Sequence, residues 1–173
     1  MNEEEQWRPI NDYNNYSISS FGRVRNDDTG LILKPAITSR GYLRLGLYKN
    51  NIRKNYLIHR LIGIHFLPNW NNKECIDHVN RNSLDNRIIN LRWATSSENS
   101  ANKTKKQNTT SKYIGVSFDK NGNKWRANIN CKKLTEKRRT IHLGSFKTEE
   151  EANSCRQKFI TENNLEEFYN QKI

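Results

Sequence analysis

No stretch of this chain stays apolar for long. The most hydrophobic run, Leu57 to Leu67, is broken by His59, Arg60 and His65, whereas a bilayer span takes about 20 apolar residues, so no membrane role is expected. The opening Met1-Asn2-Glu3-Glu4-Glu5 is acidic where an export signal is basic and then apolar, which predicts an intracellular protein. Three cysteines, Cys75, Cys131 and Cys155, stand far apart with no Cys-x-x-Cys pair, so a thiolate zinc site has no support. Apolar residues fill only 34% of the 173 positions, enough for several small cores but hardly for one large one. Acidic residues are outnumbered, 18 Asp and Glu against 30 Lys and Arg, for a net charge of +12. That balance favours a polyanionic partner such as DNA, RNA or an acidic membrane, and charge alone does not choose among them.

The chemistry concentrates between Tyr56 and Lys106. Asp77-His78 is followed by Asn90 in Asn90-Leu91-Arg92-Trp93 and by Asn99 in Ser97-Glu98-Asn99. A one-metal phosphodiesterase needs a neutral imidazole to deprotonate water and hard oxygen ligands to hold a hard cation at the scissile phosphate. His78, Asp77 and Asn99 supply those parts. Together with Ile58-His59-Arg60-Leu61, Ile76-Asp77-His78-Val79-Asn80, Asp85-Asn86-Arg87 and Asn90-Leu91-Arg92-Trp93-Ala94-Thr95, the segment resembles an HNH endonuclease of the homing type. The resemblance implies two strands and a helix clasping a divalent cation, with His78 as general base, Asn90 orienting it, and Asp77 and Asn99 ligating the metal. It also implies hydrolysis that leaves 5′ phosphate and 3′ hydroxyl ends. One carboxylate and one amide leave most of the coordination shell to water and phosphate oxygens, which suits Mg2+ or Mn2+ better than a protein-caged Zn2+. Cys75 reads as a small buried strand residue, and His59 and His65 as packed or hydrogen-bonded histidines beneath the site.

Around the motif, Lys73–Asn80 and Leu91–Ala94 read as strands, Arg81–Asn90 as an irregular loop, and Thr95-Ser96-Ser97-Glu98 as a capping box that starts a helix with Asn99 in its first turn. Adjacent strand residues face opposite sides, so Asp77 and His78 imply a strand that ends or bends there. Upstream, Gly41–Tyr48 and Ile52–Ile58 flank a Lys49-Asn50-Asn51 turn and predict a hairpin. It leads into a helix bearing Leu57, Leu61, Ile62 and His65 that Pro68 stops.

Residues 1 to about 35 hold Trp7-Arg8-Pro9-Ile10, Tyr16-Ser17-Ile18-Ser19 and Gly22-Arg23-Val24-Arg25, a short hairpin with its turn at Gly22. This pattern resembles a small module found at the amino end of homing nucleases. Arg23 and Arg25 share one strand face, placed to meet phosphate or to form a solvated edge. Asn102–Ser111 is polar and basic and reads as a helix end running into a linker, with Lys103, Lys105 and Lys106 either tracking DNA or spacing the modules.

Beyond it, Tyr113–Phe118, an Asn121-Gly122 turn, Lys124–Asn130 and Thr140–Phe146 predict three antiparallel strands. Thr148-Glu149-Glu150-Glu151 predicts a second capping box, and Ala152, Cys155 and Phe159 give the following helix an apolar stripe. Through Tyr113-x-Gly115-Val116, Trp125-x-Ala127, Leu143-Gly144-x-Phe146 and Thr148-x-Glu-Glu-Ala152 the module resembles the plant ethylene-response-factor (Apetala) type of DNA-binding domain. In that family the sheet enters the major groove, but Ile114, Ser117, Asp119 and Thr140 stand where several base-reading arginines would be, so the plant target does not carry over. The polar face assigns Lys124, Arg126 and the Lys137-Arg138-Arg139 turn to phosphates, and Asn128, Asn130 and His142 to base edges.

The expectation is an α+β chain of small modules: an amino-terminal motif over 1–40, a ββα-metal nuclease core over 41–107 and a DNA-binding domain over 108–173. It would act as a monomer on double-stranded DNA. The alternatives are a DNA-binding regulator with an inactive nuclease core, or a toxin or restriction nuclease.

Overall fold

Short alternating stretches punctuated by Gly and Asn favour several small sheets over one large sheet. The computed structural model, which describes residues 4–102, 109–131 and 140–169, has that α+β form. It falls into two compact units, Met1–Ala94 and Thr95–Ile173.

In the first unit, β1 (Trp7–Ile10), β2 (Tyr13–Ser19) and β3 (Val24–Asn26) make an antiparallel sheet in chain order. Gly22 closes the predicted β2–β3 turn at φ +82°, where a Cβ would also meet the Asn86 Cβ at 2.9 Å. The sequence predicted no strand over β1; Pro9 within it offers no N–H to a ladder, and the pairing slips in register between Pro9 and Ile10. A second sheet joins β4 (Ala36–Ile37), β5 (Leu43–Lys49) and β6 (Ile52–Leu57). Asn50 and Asn51, both at positive φ, form the two-residue turn between β5 and β6. Helix α1 (Ile58–Phe66) follows directly and ends ahead of Pro68. Strands β7 (Cys75–His78) and β8 (Leu91–Ala94) pair antiparallel, with Asp77 opposite Arg92 and His78 opposite Leu91.

A single hydrophobic interior links these elements. Tyr13, Ile18 and Val24 of the first sheet pack with Leu45 and Leu47 of the second, Ile58, Leu61 and Ile62 of α1, and Ile76 and Leu91 of the β7–β8 pair. Among the described residues, those of 1–40 bury their apolar faces by joining the interior of 41–94. Gly63 allows α1 to lie close on β7–β8, since a Cβ there would stand 2.4 Å from Ile76 Cδ1 and 3.3 Å from Trp93 Cζ2. The Trp93 indole N–H donates to the Leu67 carbonyl at 3.1 Å and ties down the helix end.

The second unit contains α2 (Ser96–Ala101), β9 (Val116–Asp119), β10 (Lys124–Asn130), β11 (Thr140–Phe146), α3 (Glu149–Glu162) and α4 (Glu166–Tyr169). Both expected capping boxes are present, Thr95 with Glu98 at α2 and Thr148 with Glu151 at α3. The sheet runs β11-β10-β9, and α3 packs on it through Ala152 against Val116, Ala127, Trp125, Leu143 and Phe146. The β9–β10 turn is longer than the Asn-Gly pair predicts. Lys124 pairs with Asp119, the left-handed residue is Asn123, and the Asp119 carboxylate accepts from the Asn121 N–H at 3.3 Å.

Candidate active site

Strand β7 stays regular up to His78 and ends there. The Val79 N–H donates to the Asn90 carbonyl at 2.8 Å, and the Arg81 N–H turns back to the His78 carbonyl at 2.9 Å with Arg81 in the left-handed region. The strand therefore ends where the sequence demanded, yet period-two alternation survives. Ile76 and His78 face α1, against Gly63 and His59, while Asp77 faces Arg92.

His78 is buried at 6% exposure. Its ring lies 5.3 Å from that of His59, edge to face, and 6.0 Å from that of Tyr42; His59 and Tyr42 are 4.9 Å apart. His78 Nε2 is 3.4 Å from Asn86 Oδ1, and the Asn86 amide nitrogen donates to the Leu84 carbonyl at 3.1 Å. That second bond fixes which way the amide points, so the oxygen faces the imidazole. The proton then sits on Nε2 and the lone pair on Nδ1. Burial lowers the His78 pKa below the ordinary histidine value, opposed by Asn86 and by the charges of Asp77 and Asp85. The imidazole is accordingly neutral at neutral pH.

Both neighbouring histidines match the expectation of packed or hydrogen-bonded residues. His59 is buried, its Nδ1 has no hydrogen-bond partner, and burial above all pushes its pKa down to about 4. His65 donates from Nδ1 to the Leu61 carbonyl at 2.8 Å and accepts at Nε2 from the Asn11 N–H at 3.0 Å.

Asn90 acts on the loop. Its Oδ1 accepts from the Asn80 N–H at 2.9 Å and its Nδ2 donates to the Asp85 carbonyl at 2.7 Å, stapling the segment between β7 and β8. Asp85 is held in turn by Arg87 at 2.8 Å and by Asn80 at 2.9 Å, and the Arg87 bonds keep its pKa near 2. The contact with His78 comes from Asn86, a role the sequence reading did not assign. Asn86 sits in a run of polar loop residues, and only its burial at 4% exposure distinguishes it.

Asp77 is 4% exposed, and its Oδ2 accepts from Arg92 Nε at 2.9 Å and Nη2 at 2.8 Å. Both bonds end on the one oxygen and hold Asp77 to the neighbouring strand. Asn99 lies on α2, in the second unit, half-buried, with its N–H on the Thr95 carbonyl. Among the described residues no group of three or more His, Cys, Asp or Glu side chains could cage a metal. A carboxylate oxygen such as Asp77 offers suits a hard cation that keeps most of its water, as Mg2+ and Mn2+ do.

The candidate DNA contacts fall in different settings. Arg23 pairs with Glu5 and Arg25 with Asp27, and both guanidinium groups lie over the Trp7 ring, 5.7 and 4.6 Å from its centre. Lys103, Lys105, Lys106 and the Lys137-Arg138-Arg139 turn lie outside the described residues. On the sheet, Lys124 and Asn130 are exposed, Arg126 pairs with Asp119 at 2.6 Å, and Asn128 Oδ1 meets His142 Nδ1 at 3.1 Å. Cross-strand register sets Arg126 beside Ser117, Asn128 beside His142 and Asn130 beside Thr140, making one polar face.

Three family models match parts of the chain. A NUMOD4 motif matches residues 5–48, the HNH endonuclease family matches 56–101 and an Arm DNA-binding domain matches 115–162. An uncharacterized HNH endonuclease of Acanthamoeba polyphaga mimivirus is 36% identical over 97 residues, 56% of this chain and 29% of that protein. DNA endonuclease I-HmuI of Bacillus phage SP01 is 36% identical over 98 residues, 56% of each chain. The solved structure describing DNA binding and cleavage by the HNH homing endonuclease I-HmuI superposes with a TM-score of 0.53 at 36% identity, again over 56% of each chain. The chain thus spans little more than half, or less, of the curated relatives it matches. Strand pair, stapled loop and matched segments converge on one likeness: residues 56–101 are similar to the HNH endonucleases and to I-HmuI, with a NUMOD4 match ahead of them and an Arm DNA-binding match behind.

Proposed function

We propose that this chain is a site-specific DNA endonuclease of the homing type, which hydrolyses phosphodiester bonds of double-stranded DNA with His78 as general base. The observation that carries the reading is the state of His78: buried, neutral, its Nε2 proton directed to Asn86 and its lone pair on Nδ1. His78 takes a proton from water, the hydroxide attacks phosphorus, and the 3′ oxygen departs. Asn90 keeps the loop closed over this histidine, and Arg92 holds the carboxylate of Asp77. Asp77 and Asn99 would hold a divalent cation, Mg2+ or Mn2+, which would supply charge to stabilise the leaving oxygen.

Binding is divided among three segments, 1–40, 41–107 and 108–173. Lys124 and Arg126, with Lys103, Lys105 and Lys106, neutralise phosphates, while Asn128, Asn130 and His142 read base edges. Arg23 and Arg25 join the backbone contacts when phosphate replaces Glu5 and Asp27. The chain works as a monomer inside the host cell; a single catalytic motif per monomer favours nicking, while a dimer would break both strands. Among the described residues no helix is long and apolar enough to cross a membrane, and the relatives come from a phage and a giant virus.

One observation favours the second reading, a DNA-binding regulator with an inactive core: Arg92 already neutralises Asp77. Relaxation of supercoiled plasmid with and without Mg2+, by the native chain and by His78→Ala, separates the two. Metal-dependent nicking that vanishes in the variant supports the nuclease. Binding without cutting in any metal by the native chain supports the regulator.

A further inference from the structure

Helix α2 owes its place in the second unit to polar ties. None of its residues is buried, and it packs against α4, whose Phe168 and Tyr169 are buried along with the preceding Leu165. Tyr169, 5% exposed, donates its hydroxyl proton to the Asn130 carbonyl at 2.7 Å, and Ser97 of α2 hydrogen-bonds the same phenol. Cys131, 2% exposed, hydrogen-bonds it as well. One phenol oxygen therefore joins the last residue of β10 to the first turn of α2.

The two ends of this tie matter. On one side is the strand that presents Arg126, Asn128 and Asn130 on the polar face of the sheet. On the other is the short helix that carries Asn99, one position beyond the Glu98 of its capping box. A six-residue helix without a buried face has little packing to fix its orientation. A buried hydroxyl that must satisfy a carbonyl and a serine together admits few arrangements.

We infer that Tyr169 is a positioning residue for the nuclease, pinning α2 to the end of β10 so that the metal ligand Asn99 keeps one geometry relative to the DNA-reading sheet. This inference rests on the reading of Asn99 as a metal ligand.

The test uses the full chain, with Mn2+ binding followed by electron paramagnetic resonance, affinity for a labelled duplex, and plasmid nicking against Mn2+ concentration. Tyr169→Phe removes the hydroxyl and keeps the ring. It is expected to weaken Mn2+ binding and shift the nicking curve by roughly fivefold to tenfold, the scale of one hydrogen bond, while duplex affinity stays within about twofold, the noise of such a difference. Ser97→Ala deletes the other end of the tie and should reproduce the shift; it decides the matter if Tyr169→Phe does not fold. Native Mn2+ binding in both variants, beside loss in Asn99→Ala, overturns the positioning role and leaves the ligand reading intact. Native Mn2+ binding in Asn99→Ala removes the ligand reading and the inference with it. Equal losses of duplex and Mn2+ binding in Tyr169→Phe assign the residue to the general stability of the unit and overturn the specific role.

Discussion

Asn86 turns its amide oxygen toward Nε2 of His78, 3.4 Å away, because its amide nitrogen is committed to the Leu84 carbonyl at 3.1 Å. The asparagine thus selects the tautomer of His78. Because burial already lowers the His78 pKa, cleavage by the native chain should persist below pH 6.5, the ordinary histidine value. Asn86→Asp puts a carboxylate beside the ring, favours the imidazolium, and should move the acidic limb of kcat/KM to higher pH. Asn86→Leu should lower kcat by on the order of tenfold, one hydrogen bond's worth, without that displacement. An unmoved acidic limb in Asn86→Asp would argue against contact between the two residues.

Removal of His78, the proposed base, is the larger perturbation. His78→Ala should lower the nicking rate by on the order of 10² to 10⁴ while duplex affinity, measured by fluorescence anisotropy, stays native. Undiminished nicking sinks the assignment of His78.

His59 links the same ring cluster to acid stability. Its folded-state pKa, about 4, is below the ordinary 6.5. Between those values the unfolded chain binds the extra proton and the folded chain does not, so stability falls as pH drops through this window and levels off below it. The full loss is about 3 kcal/mol, because each tenfold difference in proton affinity between the folded and unfolded chain is worth about 1.4 kcal/mol. His59→Phe keeps a ring there and removes the proton site. Urea unfolding at pH 7 and pH 4 should show a smaller acid loss in the variant, by up to that amount; equal losses refute the claim.

On the Arm-domain sheet, each phosphate neutralised contributes about 0.9 to the slope of log affinity against log salt. Lys124→Ala and Arg126→Ala should each flatten the slope by about that much. Asn128→Ala should leave the slope unchanged and relax base preference, read by competition between duplexes. A reduced slope in Asn128→Ala would move that residue from base reading to the backbone.

Gly63 offers a packing test. Alanine is favoured over glycine within a helix by about 1 kcal/mol, but a Cβ here would overlap Ile76 Cδ1 at 2.4 Å in a buried contact, and such overpacking costs about 1–3 kcal/mol. Gly63→Ala should therefore lower Tm, and nicking should fall with it because β7 carries Asp77 and His78. A raised Tm shows that Ile76 moves aside.

The local grammar of the chain was readable in advance. Thr95 and Glu98, Thr148 and Glu151, Gly22, and the Asn50-Asn51 turn all do what their side chains or backbone freedom dictate. Strands β8, β10 and β11 have the predicted bounds. Less legible were features set by neighbours distant in sequence. The β1 strand depends on β2 despite Pro9. The bond from Asn86 to His78 depends on how Asn90 folds the intervening loop, and the clasp of Arg92 on Asp77 on strand register. Tyr169 stands next to a segment with no periodic pattern, so only its burial against α2 and β10 reveals a role.

The interior shared by Ile18, Val24, Leu47 and Ile62 limits how such a gene can be reshuffled. A recombination joint near residue 40 would leave Ile18 and Val24 on one fragment and Leu47 and Ile62 on the other, each exposing apolar surface until a matching partner arrived. The amino-terminal strands must therefore be inherited together with the nuclease core, as one unit of exchange, however separable they look on the sequence.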